Sequence, residues 1–162
     1  MAYAFSLPQA CKVTDALAPA TDAAGRSSLY ITTKYCHKAY AVFHITQGNA
    51  ATILLTVNQA TTIAGAGTKV LANAVPIWSN LDTVAAEALV KQTDAVNYTT
   101  DAGVKNKIVI FEIDPAKLDV AGGFDCINVS TGASNVANIT QCMWYLVPAR
   151  YNESTMLPAR LD

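Results

Sequence analysis

Cys36 and His37 are consecutive in this chain, and His44 follows seven residues after His37. Among its residues they come nearest to a metal-binding constellation. Tetrahedral zinc takes paired ligands at spacings such as Cys-x₂₋₄-Cys or His-x₃₋₅-His, and neither spacing is present. An odd separation also sends His37 and His44 to opposite faces if one strand carries both. Both read as surface or hydrogen-bonded histidines, and no metal is expected. No Gly-x-Ser-x-Gly elbow, Gly-x-Gly-x-x-Gly turn or Walker-type cradle occurs. Gly65-Ala66-Gly67 is a fragment of a Gly-rich loop without a strand-to-helix setting, so phosphate binding is not expected either.

Glu112, Asp114, Asp119 and Asp125 lie close together along the chain. Paired carboxylates cleave glycosidic bonds only when held a set distance apart, which sequence spacing cannot supply. Asp114-Pro115 and Asp119 have the form of turn residues. Glu112 sits inside an apolar run, where it would pair with Lys107 or Lys105, touch a neighbouring subunit, or occupy a solvated edge. Trp78, Trp144, Tyr145, Tyr30, Tyr35 and Tyr40 would make a sugar-stacking surface if exposed together. Core and interface packing is the preferred reading of these rings. No catalytic, cofactor-binding or metal-binding residue is assigned, no cofactor is implied, and the chain is not expected to be an enzyme.

The composition points to assembly. Of 162 residues, 52% are hydrophobic and 14% charged, against a usual charged share of about 25%. Disorder needs the opposite balance. So few charges leave a surface that is either unusually neutral or buried against partners. The net charge is −1, with basic residues scattered, so no nucleic-acid footprint exists. No apolar run approaches the length of about 18 residues that spans a bilayer, and Met1 to Pro8 lacks the pattern of a secretory signal. Synthesis in a cytosol is expected, with Cys11, Cys36, Cys126 and Cys142 as thiols. The Asn-x-Ser/Thr sites at Asn97, Asn128, Asn138 and Asn152 are then coincidental.

The elements that would position these residues are mostly strands. Residues 1–28, interrupted by Pro8, Pro19 and Gly25, read as a loosely packed leader or as an arm reaching a neighbour, with a short helix allowed over Cys11–Leu17. Residues 29–147 form the expected domain. Leu29–Thr33, Ala39–Gln47 and Ala51–Asn58 alternate at period two. Pro76 confines Val75–Trp78 to an edge or a strand start. Residues 82–95 are the best helix candidate, with Asp82 as cap, or else a long loop with one helical turn. Lys107–Ile113 is apolar on both faces, which predicts a central strand covered on each side. Gly122-Gly123 and Gly132–Asn135 turn the chain into strands over Phe124–Ser130 and Asn138–Val147. Many short strands with little helix predict an all-β, single-domain antiparallel sandwich, jelly-roll-like at about eight strands. Residues 148–162 read as a C-terminal tail, so extended arms are expected at both ends.

The segments Lys38–Thr52, Ala74–Trp78, Lys107–Pro115 and Gly122–Ile127, with Thr131–Asn135 running to Ile139-Thr140, resemble small virion proteins of tailed bacteriophages. The resemblance extends over about residues 7–151 and brings no catalytic motif. It implies a capsid decoration or cement protein, a homotrimer bound to the major capsid protein on the outer capsid surface, with residues 1–28 and 148–162 as the contacts. Two other readings remain: a tail, neck or fibre component of the virion, and a carbohydrate-binding β-sandwich.

Overall fold

The computed structural model describes residues 6–148. One helical turn, α1 (Leu7–Ala10), precedes twelve strands: β1 (Lys12–Thr21), β2 (Arg26–Ser27), β3 (Ile31–Thr32), β4 (Cys36–Gln47), β5 (Leu54–Ala60), β6 (Lys69–Val70), β7 (Ile77–Asn80), β8 (Val90–Lys91), β9 (Asn97–Thr99), β10 (Asn106–Ile113), β11 (Cys126–Thr131) and β12 (Asn138–Pro148). They form two antiparallel sheets. The first runs β1-β12-β4-β10-β7-β8; the second runs β2-β11-β5-β6, with β3 also on β11 and β9 also on β5.

The pairing is that of a jelly roll. β6, β7 and β8 form an excursion between β5 and β9, and β2 and β3 are two pieces of one interrupted strand, since both pair with β11. Eight strands then remain. The first pairs with the last (β1 with β12), the second with the seventh (β2 and β3 with β11), the third with the sixth (β4 with β10) and the fourth with the fifth (β5 with β9). This is one long hairpin. Rolling it up adds two contacts, β12 on β4 and β11 on β5, and these divide it into a sandwich.

Alternation along the long strands supplies the core. Ala39, Ala41, Phe43 and Ile45 of β4 are fully buried, as are Val109, Phe111 and Ile113 of β10 and Cys142 and Trp144 of β12. They meet Leu55 and Val57 of β5 and Ile127 and Val129 of β11 across the interior. Phe43 and Phe111 pack edge to face with centroids 5.9 Å apart, a favoured aromatic arrangement.

Two charged clusters close the sandwich. Asp22, fully buried after β1, accepts from Arg26 Nε at 3.1 Å, from Thr131 Oγ1 at 2.7 Å and from the Thr140 hydroxyl. Arg26 in turn donates to the carbonyls of Ala18 and Thr140. One carboxylate thus ties β1, β2, β11 and β12 together. Lys107, also fully buried, donates to Gln47 Oε1 at 2.8 Å and to the Asp101 carbonyl at 3.0 Å, and its ammonium pairs with the Asp101 carboxylate.

The structure departs from the sequence reading at four places. Residues 12–27 are not an arm: β1 lies along β12 for most of its length, as an edge strand in which Pro19 is tolerated. Cys11–Leu17 is not helical, because pairing with β12 outweighs a weak local propensity. Residues 82–95 take the loop alternative. Asp82 accepts from the Val84 and Ala85 amides in a single turn, and the chain then enters β8. β10 is central, but among the described residues its inner face is fully buried and its outer face, with Ile108, Ile110 and Glu112, only half-buried. Residues 1–5 of the expected N-terminal arm and residues 149–162 of the expected tail lie outside the described residues.

Replacing Asp22 by Ala leaves the Arg26 guanidinium without its carboxylate partner. It should lower the unfolding free energy by about 3–5 kcal/mol, measured by urea denaturation. Asp94→Ala removes only the exposed 3.3 Å pair with Lys91 and should cost no more than about 1 kcal/mol.

Candidate interaction surface

The outer faces of the two sheets differ in kind. On the second sheet, Thr56 and Asn58 of β5 lie beside Ser130 and Asn128 of β11. The Asn58 amide donates to Asn128 Oδ1 at 3.0 Å and to Ser130 Oγ at 3.2 Å. The middle of that face is polar, as expected of an antiparallel sandwich, with Leu54 and Val70 exposed beside it.

The first sheet carries an apolar band on its outer face as well as an apolar inner face. Cross-strand register places Asp15, Met143, Val42, Ile110, Trp78 and Lys91 in one row across all six strands. Directly opposed residues share a face, and the buried neighbours of Val42, Ile110 and Met143 fix that face as the outer one. Four apolar side chains in the row are therefore flanked by an acid at the β1 edge and a base at the β8 edge. Parallel rows carry Val13, Tyr145, Tyr40 and Glu112 on one side, and Gln141, His44, Ile108 and Asn80 on the other. Glu112 pairs with Lys38 of β4. That bond raises the affinity of Lys38 for its proton above that of an ordinary lysine and keeps the charge on the face balanced. The band of four apolar side chains across the central strands is the feature of this face that suits contact with a partner.

Most residues with chemical potential do not converge. His37 and His44 both lie on β4, exposed, with His44 on the outer face. No group of three or more His, Cys, Asp or Glu suited to a metal occurs among the described residues. Asp114 and Asp119 make turns, accepting from the Ala116 and Gly122 amides, and Asp125 pairs with Lys34 at 3.6 Å. Glu112 partners neither Lys105 nor Lys107, because Lys107 points into the interior from the opposite face of β10. Gly65 and Gly67 have φ of 83° and 65°; they shape the turn between β5 and β6, where the Tyr30 ring lies against Gly65.

The aromatic residues separate. Trp144 is core and Trp78, Tyr40 and Tyr145 are on the outer face of the first sheet, whereas Tyr30 and Tyr35 lie away from it. Cys126 and Cys142 belong to opposite sheets. All four cysteines are free thiols. Burial pushes the Cys36 thiol up to about 11 and raises the Cys142 thiol well above its ordinary range, which suppresses the reactive thiolate.

One depression of about 440 Å³ opens beside Gln47, Gly48, Val84, Val104 and Lys105. Its wall includes the Lys105–Asp82 ion pair, whose hydrogen bond holds the Asp82 carboxyl below the ordinary carboxylate range. A carboxylate kept ionised in this way is unlike a general acid tuned toward neutrality.

The row from Asp15 to Lys91 was hidden in the sequence. Its signal is the apolar outer set Ile108 and Ile110, which the alternation does reveal and which reads as burial under a second layer.

No protein-family model matches the chain, and no curated protein matches it. Among solved structures, a chain from Desmodium yellow mottle tymovirus aligns over 88% of this chain and 91% of its own length, at 9% identity and a TM-score of 0.30. A likeness of that size carries no argument, and the fold assignment rests on strand pairing. No helix among the described residues is long and apolar enough to cross a membrane.

Adjacent positions of β10 should respond oppositely to truncation. Phe111→Ala should cost about 3–5 kcal/mol of stability in thermal or urea unfolding, while Ile110→Thr, on the half-buried outer face, should cost under about 1.5 kcal/mol. In native protein at pH 8, Cys142 should resist alkylation for as long as the fold persists, with modification mapped by mass spectrometry.

Proposed function

We propose that the chain is a non-enzymatic virion structural protein that binds and stabilises the capsid shell of a tailed bacteriophage as a decoration or cement protein. Its partners are the major capsid protein and further copies of itself, at the outer surface of the particle. The observation that carries the assembly reading is the band of four apolar side chains, Met143, Val42, Ile110 and Trp78, across the four central strands of the first sheet's outer face. A rigid sandwich presenting one such face is suited to adding contacts at junctions between subunits. The virion assignment rests on the resemblance of the chain's segments to small phage virion proteins. Jelly rolls also serve in viral capsids and in lectins, so the fold is compatible with this role without selecting it.

The sugar-binding alternative draws on Trp78, Tyr40 and Tyr145, which share the apolar face. Trp144 drops out of it, being enclosed in the core.

Mass-spectrometric copy number in purified virions, relative to the major capsid protein, tests the proposal. Copies near one per capsid protein, or at a fixed fraction of that number, are the expected result. A dozen or fewer per particle would move the protein to the neck, tail or fibre. Absence from particles, with glycan-array binding that disappears in Trp78→Ala, would establish the sugar-binding reading in its place.

A further inference from the structure

β12 is enclosed within the first sheet. β1 takes one of its edges and β4 the other, and its inner face, with Cys142, Trp144 and Leu146, is packed in the core. The chain leaves this strand at Pro148, opposite Cys36, with only the outer side of the strand left to it. Met143 stands on that side, in line with Val42, Ile110 and Trp78.

We infer that residues 149–162 return over the outer face of the first sheet of their own chain and cover this apolar band. Three observations select that occupant. Reach is the first. Residues 149–162 span roughly 46 Å when extended, at about 3.3 Å each. Met143 lies about 17 Å back along β12 from Pro148, and a layer on a sheet face sits about 10 Å above it. Asn152 and Ser154 are turn formers, placed where the chain must reverse. Met156 and Leu157 then reach Met143 and Val42, and Leu161 reaches Trp78, which lies two strands, about 10 Å, beyond Val42.

Chemistry is the second. Ionic groups around the band are already engaged: Lys38 with Glu112, Lys91 with Asp94, and Asp15 within the chain. The band therefore favours an uncharged occupant, because a charge laid on it loses hydration. Ser154-Thr155-Met156-Leu157-Pro158-Ala159 is free of charge and carries two large apolar side chains, and Pro158 has no N–H to leave unpaired. Tethering is the third. A segment joined to β12 meets the face at the millimolar effective concentration of an intramolecular ligand. Contact by a few side chains is then sufficient, where a separate molecule needs roughly 800 Å² per partner for a stable interface.

This inference rests on the reading of the band as a contact surface and goes beyond it, since a capsid subunit using the face must first displace the segment. It does not depend on residence in a virion.

Tryptophan fluorescence of the full chain tests the docking, because Trp144 is enclosed in the core and Trp78 lies in the band. Leu157→Asp combined with Leu161→Asp puts charges on the apolar contact and should raise acrylamide quenching at least about twofold, with the circular dichroism unchanged. Trp78→Phe in the same background should abolish the rise. Benzoylphenylalanine in place of Leu157 should photo-crosslink to Met143 or Val42 within single chains, located by mass spectrometry of the monomer. Equal quenching in wild type and the double variant, or cross-links that join two chains or avoid the first sheet's outer face, would overturn the docking. That result with hundreds of copies per virion would leave the capsid role intact, whereas a docked segment in a protein absent from virions would do the reverse.

Discussion

The fold depends on β12 finding backbone partners on both sides. Its eleven residues pair with β1 along one edge and with β4 along the other. A strand whose inner face carries Trp144 and Cys142 cannot leave its amides and carbonyls unpaired without a large penalty. The last strand is thereby inserted between the first and third of the eight-strand roll, and that insertion draws the chain ends together and sets the order of the first sheet. Asp22 reinforces the closure from the side. It joins the end of β1 to Thr140 of β12 and Thr131 of β11, bridging the two sheets where the roll turns over. Among the described residues Trp144 Nε1 has no hydrogen-bond partner, a cost that the surrounding apolar packing offsets.

Much of this was legible in the sequence, for physical reasons that differ between segments. The strands β4, β5, β10 and β12 carry strong period-two alternation, so burial against the opposite sheet was readable from residue type alone. The turns at Asp114-Pro115, Asp119 and Gly122-Gly123 were readable too, since their chemistry is local. β1 was not. Its Ala- and Thr-rich sequence with Pro19 has little propensity of its own, and its strand form comes from β12, more than a hundred residues away. Residues 82–95 failed for the converse reason. Ala, Glu, Leu and Lys favour a helix locally, but the segment lacks an apolar stripe with a surface to bury it on. Asp82 caps one turn, and the chain then returns to the ladder beside β7.

The candidate surface shows a further limit. The outer residues of β10 signalled burial, and burial of one face was placed inside the chain because a single sequence contains no other layer. Register decides the matter. Ile108 and Ile110 stand half-buried beside Val42 and Met143 on the outer face of the first sheet, while Asn58, Asn128 and Ser130 stand on the outer face of the second. Which side of a strand faces a partner molecule follows from strand order, and strand order is a non-local property that periodicity does not encode.

The same placement explains how a chain with 14% charged residues forms a sandwich with one polar side. Some of its charges are not on the surface at all: Asp22 and Lys107 are fully buried, in hydrogen-bonded clusters that close the sheet ends. Lys38 and Glu112 cancel on the apolar face. Polarity on the second sheet comes from neutral Asn, Ser and Thr, which hydrogen-bond without the desolvation cost of ions. The first sheet keeps Asp15 and Lys91 at the two ends of its apolar row, with Lys91 paired to Asp94. Low charge in this chain is thus a matter of position, with ions kept at closures and margins and the broad middle of one face left for apolar contact.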